Sequence, residues 1–185
     1  SNPRQANAVN KARNAQRDFK ITRLANKTSW TSPSGDIWST GVYLVDKALY
    51  HPLPFGLIDQ NNQDAGFFGQ YNHLGEAFGK SHHMVAGWNI VRGNTDAKIF
   101  AHNRGVRTAI SSAEEQQSRN IELYAQSSLE LVEGLKWVTG IQATRATRQA
   151  IDEILSNGDQ SYKRTYQQLS PKIGFLWQYS PEVQV

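Results

Sequence analysis

Asn120-Ile121-Glu122-Leu123-Tyr124-Ala125-Gln126-Ser127-Ser128-Leu129-Glu130-Leu131-Val132, then Glu133-Gly134, then Leu135-Lys136-Trp137-Val138-Thr139-Gly140-Ile141-Gln142, is the stretch whose reading decides the fold. Its period is two. Ile121, Leu123, Ala125, Ser127, Leu129 and Leu131 share one face of an extended chain; Glu122, Tyr124, Gln126, Ser128 and Glu130 share the other. After a Glu-Gly turn the pattern resumes. Leu135, Trp137, Thr139 and Ile141 alternate with Lys136, Val138, Gly140, Gln142 and Thr144. This is a β-hairpin with one apolar face and one polar face.

The same rhythm runs outward in both directions. Ile173, Phe175, Trp177 and Tyr179 alternate with Lys172, Gly174, Leu176 and Gln178. A turn at Ser180-Pro181-Glu182 then leads into Val183-Gln184-Val185, the stub of a further strand. Met84, Ala86, Trp88 and Ile90 alternate with Val85, Gly87, Asn89 and Val91, and their expected partner is Ala65–Phe78, joined through Gly79-Lys80-Ser81. Adjacent Phe67 and Phe68 leave the faces of that partner open. A first hairpin pairs Asp18–Trp30 with Ile37–Val45 across Ser32-Pro33-Ser34-Gly35-Asp36; Trp38, Thr40, Val42 and Leu44 share a face.

The connections follow a rule. Tight turns fall near 32–36, 79–81, 133–134 and 180–182. Long polar stretches fall near 46–63, 92–119 and 146–165, with 1–17 as the tail of another. Short and long therefore alternate, which puts every long connection at one end of the strands. Membrane barrels have that asymmetry. The expectation is an all-β, antiparallel up-and-down meander: about seven strands plus a truncated eighth, part of a large transmembrane β-barrel spanning residues 1–185. So few strands cannot close a wide barrel, and lipid offers no backbone partners, so the remaining strands are expected outside this chain.

Composition agrees. Only 38% of the 185 residues are hydrophobic, yet 5 Trp, 7 Tyr and 7 Phe are present. No stretch approaches the roughly 18 apolar residues of a membrane helix, whereas barrel strands alternate faces and keep a low mean hydropathy. Aromatics near strand ends, Trp30, Trp38, Tyr50, Phe78 and Tyr179, are candidates for interfacial girdles. The absence of cysteine removes disulfide and thiolate chemistry. The net charge of +4 is scattered and argues against a nucleic-acid interface.

These residues resemble a known family. Asn120–Gln126 followed by Leu135–Gln142 looks like a hairpin of the TonB-dependent outer-membrane receptors of the siderophore-receptor type, with Gln142 where the family usually carries Arg. Ser170-Pro171-Lys172-Ile173-Gly174-Phe175-Leu176-Trp177-Gln178-Tyr179-Ser180-Pro181-Glu182-Val183-Gln184-Val185 is similar to the segment that follows it. Asn2-Pro3-Arg4-Gln5-Ala6 and Arg17-Asp18-Phe19 also look like the family's mid-barrel region.

The resemblance implies a barrel of about 22 strands with a plug domain in its lumen, the plug lying outside this chain. It implies energy-coupled uptake of a scarce solute across the outer membrane of a Gram-negative bacterium, with a ferric siderophore as the expected cargo. The implied partners are the TonB energy-transducing protein, outer-membrane lipid and lipopolysaccharide. No enzymatic activity and no cofactor are expected. The alternatives are a passive porin-like barrel and a secreted β-sandwich binding module.

Candidate chemistry is sparse. His82 and His83 are neighbours on a strand, so they point to opposite faces and cannot share one metal ion. Glu114-Glu115 and Asp152-Glu153 sit in polar stretches without a visible pocket, and no nucleophile elbow or phosphate loop occurs. Arg92, Lys98, His102, Arg104 and Arg107 fall in or beside one long connection and form the candidate ligand-binding set. A cationic rim there would suit an anionic siderophore, or the phosphates of outer-leaflet lipopolysaccharide. Ala150, Ile151, Ile154 and Leu155 have helical spacing before Asn157-Gly158, which predicts a short helix over 147–155.

Overall fold

The computed structural model describes residues 7–180 and 182–185. Seven long strands form one antiparallel meander: β1 (Asp18–Thr31), β2 (Ile37–Leu53), β3 (Gly56–Ala77), β4 (Lys80–Asn103), β5 (Val106–Val132), β6 (Leu135–Asp152) and β7 (Tyr162–Ser180). Val183–Gln184 adds a short β8. A one-turn helix, α1 (Ala8–Ala12), precedes β1, and Asn7 caps it by accepting from the Val9 amide. The strands lie in sequence order from β1 to β8, and the sheet is open. No second layer covers either face among the described residues. The buried apolar set is accordingly small: Leu49, Leu57, Ala97, Ala113, Val138 and Ala150. A β-sandwich is thereby overturned, since its apolar faces would be sealed against each other. The N-terminal Asn2–Ala6 motif and Pro181 of the last turn lie outside the described residues.

Register settles the faces, because directly opposed residues share one. Thr40, Gly69, Trp88, Leu123, Ala143 and Leu169 form one continuous row across β2 to β7. The next row joins Val42, Phe67, Ile90 and Ile121. The ambiguity at Phe67-Phe68 resolves here: Phe67 belongs to the apolar face, and Phe68 lies on the other, over Gly41. On β4 the outward run Met84, Ala86, Trp88, Ile90 lies between His82 and Arg92 and holds no charge. On β5 the run from Leu129 to Ile121 is likewise uncharged, and Arg119 follows it. Such runs match the roughly 9–11 residues a tilted barrel strand needs to cross a bilayer.

Aromatic side chains mark the lower border of this band. Trp30 stacks on Trp38 at 5.7 Å between ring centroids, Trp38 meets Tyr71 at 4.4 Å, and Tyr71, His73 and His82 continue the row at 6.3 and 5.9 Å. Trp177 and Tyr179 form an edge-on pair at 5.5 Å on β7. Trp30, Trp38 and Tyr179 thus fit a girdle. Two other candidates do not. Phe78 sits in a turn and is 95% exposed. Tyr50 lies far above the band, where its hydroxyl donates to the Gly105 carbonyl.

The largest departure from the sequence reading concerns the long polar connections. Residues 46–63 and 92–119 are strand almost throughout. β2 and β3 meet at Pro54-Phe55, and β4 and β5 at Arg104-Gly105. Arg104 at φ 49° and Gly105 at φ 86° both adopt the left-handed conformation of a tight hairpin turn. Phe78-Gly79 does the same at the opposite end, with the turn one residue earlier than expected. The extensions continue because a paired ladder satisfies every backbone group. Both of their faces meet water, so no hydrophobic alternation marks them. The expected helix over 147–155 is also strand to Asp152, since β5 supplies a ready partner (Glu114 opposite Asp152) and an isolated helical turn is marginal. Only Leu155–Asn157 turns helically, ended by Gly158.

Candidate functional site: the polar end of the strands

The extended hairpins carry polar side chains on both faces above the apolar band. Their tips are laced together. His102 donates from Nε2 to the Leu53 carbonyl at 2.6 Å and accepts the Gly105 amide at Nδ1 at 3.0 Å, a pair of bonds that fixes its tautomer. The Gln16 amide donates to the Pro52 carbonyl at 3.3 Å, and Asn14 Nδ2 reaches the Arg104 carbonyl at 3.4 Å. Pro52 and Leu57 are fully buried at this end. The two tips and the N-terminal segment therefore form one small, ordered cap.

The five candidate ligand residues separate into different roles. Arg107 forms an ion pair with Asp59 at 2.8 Å and lies over the rings of Tyr50 and Phe100, at 5.1 and 5.4 Å. Lys98 donates to Asp96 at 2.8 Å, and that bond holds its ammonium above the ordinary lysine value. His102 clips the hairpin tips and Arg104 forms the turn itself. Arg92 stands apart, at the upper border of the apolar band. The structure thus groups Lys98, His102 and Arg107 near the cap but does not join Arg92 to them.

Two cations that the sequence reading passed over face the second, polar side of the sheet. Arg148 and Arg164 are directly opposed on β6 and β7. Arg148 donates to Asn120 Oδ1 at 2.8 Å, and lower on the same face Lys172 donates to Gln126 at 3.0 Å. Like charges opposed across a ladder repel, so this pair favours an anion between or beside them. Period-two counting from Gln142 and Lys172 would have put both on the polar face, had the polar stretch been taken as strand.

The remaining candidates hold local structure. His82 and His83 do lie on opposite faces, bonded to Ser127 and Asn72 respectively. Glu114 and Glu115 are strand residues bonded to Gln116 and Gln117. Asp152 accepts the amides of Ile154 and Gln160 and so shapes the 153–161 loop.

Known proteins give the arrangement its context. The family model for the TonB dependent receptor-like β-barrel matches residues 2–185. No curated protein matches the chain. Among solved structures, the alcaligin outer-membrane receptor FauA from Bordetella pertussis aligns with a TM-score of 0.74 at 16% identity, over 90% of this chain and 27% of that one. The unliganded ferric citrate transporter FecA aligns at 0.74 with 8% identity, over 90% and 26%. The ferric yersiniabactin uptake receptor FyuA from Yersinia pestis aligns at 0.63 with 9% identity, over 92% and 27%. The chain spans about a quarter of each, and at these identities the likeness concerns the fold. Matched by the family model over nearly its whole length, and built as an open meander with an uncharged band across one face, the chain belongs to the TonB-dependent receptor-like β-barrel family.

Proposed function

We propose that this chain forms part of the wall of an outer-membrane receptor for energy-coupled uptake of a ferric complex, with a siderophore as cargo. The observation that carries the reading is the uncharged row structure of one face, continuous from β2 to β7 and bordered by aromatics below and, on β4 to β6, by Arg92, Arg119 and Arg145 above. Only lipid makes such a face stable on a single-layer sheet. The opposite face then lines a wet lumen. Its Arg148–Arg164 pair gives that lumen a positive mouth suited to an anionic chelate. Two of the three similar proteins are named for ferric complexes, citrate and yersiniabactin, which supports iron as the element carried.

On this reading the remaining strands, the plug and the contact with the TonB protein belong to the rest of a longer polypeptide; the open sheet and the quarter-length match support it. The extended hairpins face the cell exterior and the short turns face the periplasm, as in other barrels of this kind. The protein acts as a receptor and transporter rather than an enzyme. The test is uptake of iron-55 presented as a panel of ferric siderophores by cells with and without the full-length gene, under iron limitation. Loss of transport for at least one siderophore, abolished equally by removing TonB, is expected. Unchanged uptake of every ferric complex would remove the iron reading. TonB-independent passage of small solutes would replace it with a passive pore.

A further inference from the structure

His82 and His83 point apart, but strand register gives His82 a different companion. His73 on β3 and His82 on β4 stand on the same outward face in neighbouring rows: His73 is opposite Met84, and His82 is opposite Gly75. Their ring centroids are 5.9 Å apart, with the planes tilted by 50°. Gly75 has no side chain to fill the space beside them. A Cβ there would meet His73 Nε2 at 2.8 Å, so that nitrogen lies over the bare position directly across from His82.

Each ring is held from behind. His73 Nδ1 donates to Asp36 Oδ1 at 2.6 Å, which leaves the lone pair of Nε2 free. His82 Nε2 is bonded to Ser127 Oγ at 2.8 Å; with Nε2 as the donor, the free lone pair is on Nδ1. A metal-bound histidine commonly donates its other ring nitrogen to a carboxylate, because that bond fixes the tautomer and raises the basicity of the ligating nitrogen. Asp36 stands in that relation to His73.

The spacing suits a shared ion. Metal–nitrogen bonds of about 2.1 Å at a tetrahedral angle put two imidazole centres about 5 Å apart, and a small side-chain rotation closes the difference. The His73 side chain is 31% exposed, so an ion can reach it. Among the described residues no third histidine or carboxylate joins the pair as a ligand, which leaves the other coordination positions to water. Two imidazoles do not suit Ca²⁺ or Mg²⁺, which take oxygen ligands. They suit Cu²⁺, Ni²⁺ or Zn²⁺.

We infer that His73 and His82 form a two-imidazole site for a divalent transition-metal ion, oriented by Asp36 and Ser127. The ion links the 32–36 turn through Asp36, β3 through His73, β4 through His82 and β5 through Ser127. It acts as a clip across the aromatic border of the sheet. The site rests on strand register and does not depend on the cargo proposed above.

The test uses the purified full-length receptor in detergent, stripped with a chelator and titrated with Cu²⁺ alone. The native protein is expected to show imidazole nitrogen couplings in the electron paramagnetic resonance spectrum of the bound ion. His73→Ala and His82→Ala are each expected to bind one ion fewer than the native protein. Asp36→Asn keeps the ion but binds it about 10- to 100-fold more weakly. His83→Ala, whose ring lies on the other face against Asn72, leaves the titration unchanged. A native spectrum without imidazole nitrogen overturns the site without any variant having to fold. Full binding in both His73→Ala and His82→Ala, or an equal loss in His83→Ala, overturns it as well. Undiminished affinity in Asp36→Asn overturns the orienting role of that carboxylate.

Discussion

β4 and β5 each contain two regions that share a backbone and differ in solvent. Below Arg92 and Arg119 the strands alternate Ile, Trp, Ala and Leu against Asn, Tyr, Gln and Glu. Above them the ladder continues through Asn94 opposite Gln117 and Asp96 opposite Glu115, with polar side chains on the outward face. The ladder is unbroken until the bulge beyond Ile99. What changes is the medium on the outward side. Lipid forces an apolar choice at every second position, while water permits almost anything. A strand is thus made by backbone pairing in both regions, but only the lower one advertises it in the sequence.

The sharpest way to break this comparison is a single charge placed in each region. Leu123→Lys, at mid-band, is expected to destabilise the folded full-length receptor by about 2–4 kcal/mol. Gln117→Lys, on the same strand above the band, is expected to change it little. Urea unfolding in lipid vesicles measures both, and equal effects would abolish the distinction between the two regions. A smaller effect concerns how closely the sheet packs on its polar face. Tyr43 lies flat over Gly66, so a Cβ there meets its ring. Gly66→Ala is expected to cost about 1–3 kcal/mol, and Tyr43→Ala in the same chain to recover most of it, a coupling that a double-mutant cycle reads directly.

In the upper region effects should be local. Arg107→Ala removes the Asp59 ion pair and two aromatic contacts, but the guanidinium is half exposed, which limits the loss to about 0.5–1 kcal/mol. Faster amide exchange at the β2–β3 and β4–β5 tips, with unchanged exchange in the band, is the expected pattern. Faster exchange throughout would show that the two regions unfold as one.

The smallest effect is a pH dependence at the opposite end. In the 32–36 turn, Asp36 accepts from His73 at 2.6 Å and from Ser34 at 2.9 Å, and these bonds hold its carboxyl below the ordinary value. A depressed folded value means the contribution is present above the ordinary carboxylate pKa and fades as pH falls through the lower one. Asp36→Asn should therefore lower the receptor's thermal stability slightly near neutrality and leave it unchanged in strong acid, so that the acid limb of the profile is flattened. An unchanged acid limb in the variant would show that the turn's bonds do not contribute.

Much of the fold was legible because lipid imposes period two. Residues 120–142 and 172–179 read correctly on both faces, and so did Trp38–Leu44 and Met84–Ile90. Phe67-Phe68 did not, because adjacent aromatics carry no face label until register with Ile90 and Asn89 assigns one. The polar stretches read as loops for the same reason in reverse. The candidate site was legible only as a list of cations in a stretch. Arg92 was on that list, but its companions Arg119 and Arg145 come from strands that are distant in sequence.

From sequence alone came the alternation and the turns at 32–36 and 133–134, since each depends on neighbours within a few positions. The tertiary structure decided which strand slides against which, and by how many residues. That register, set by backbone ladders running across the sheet, turns scattered arginines into clusters on either face and gives the apolar rows their continuity.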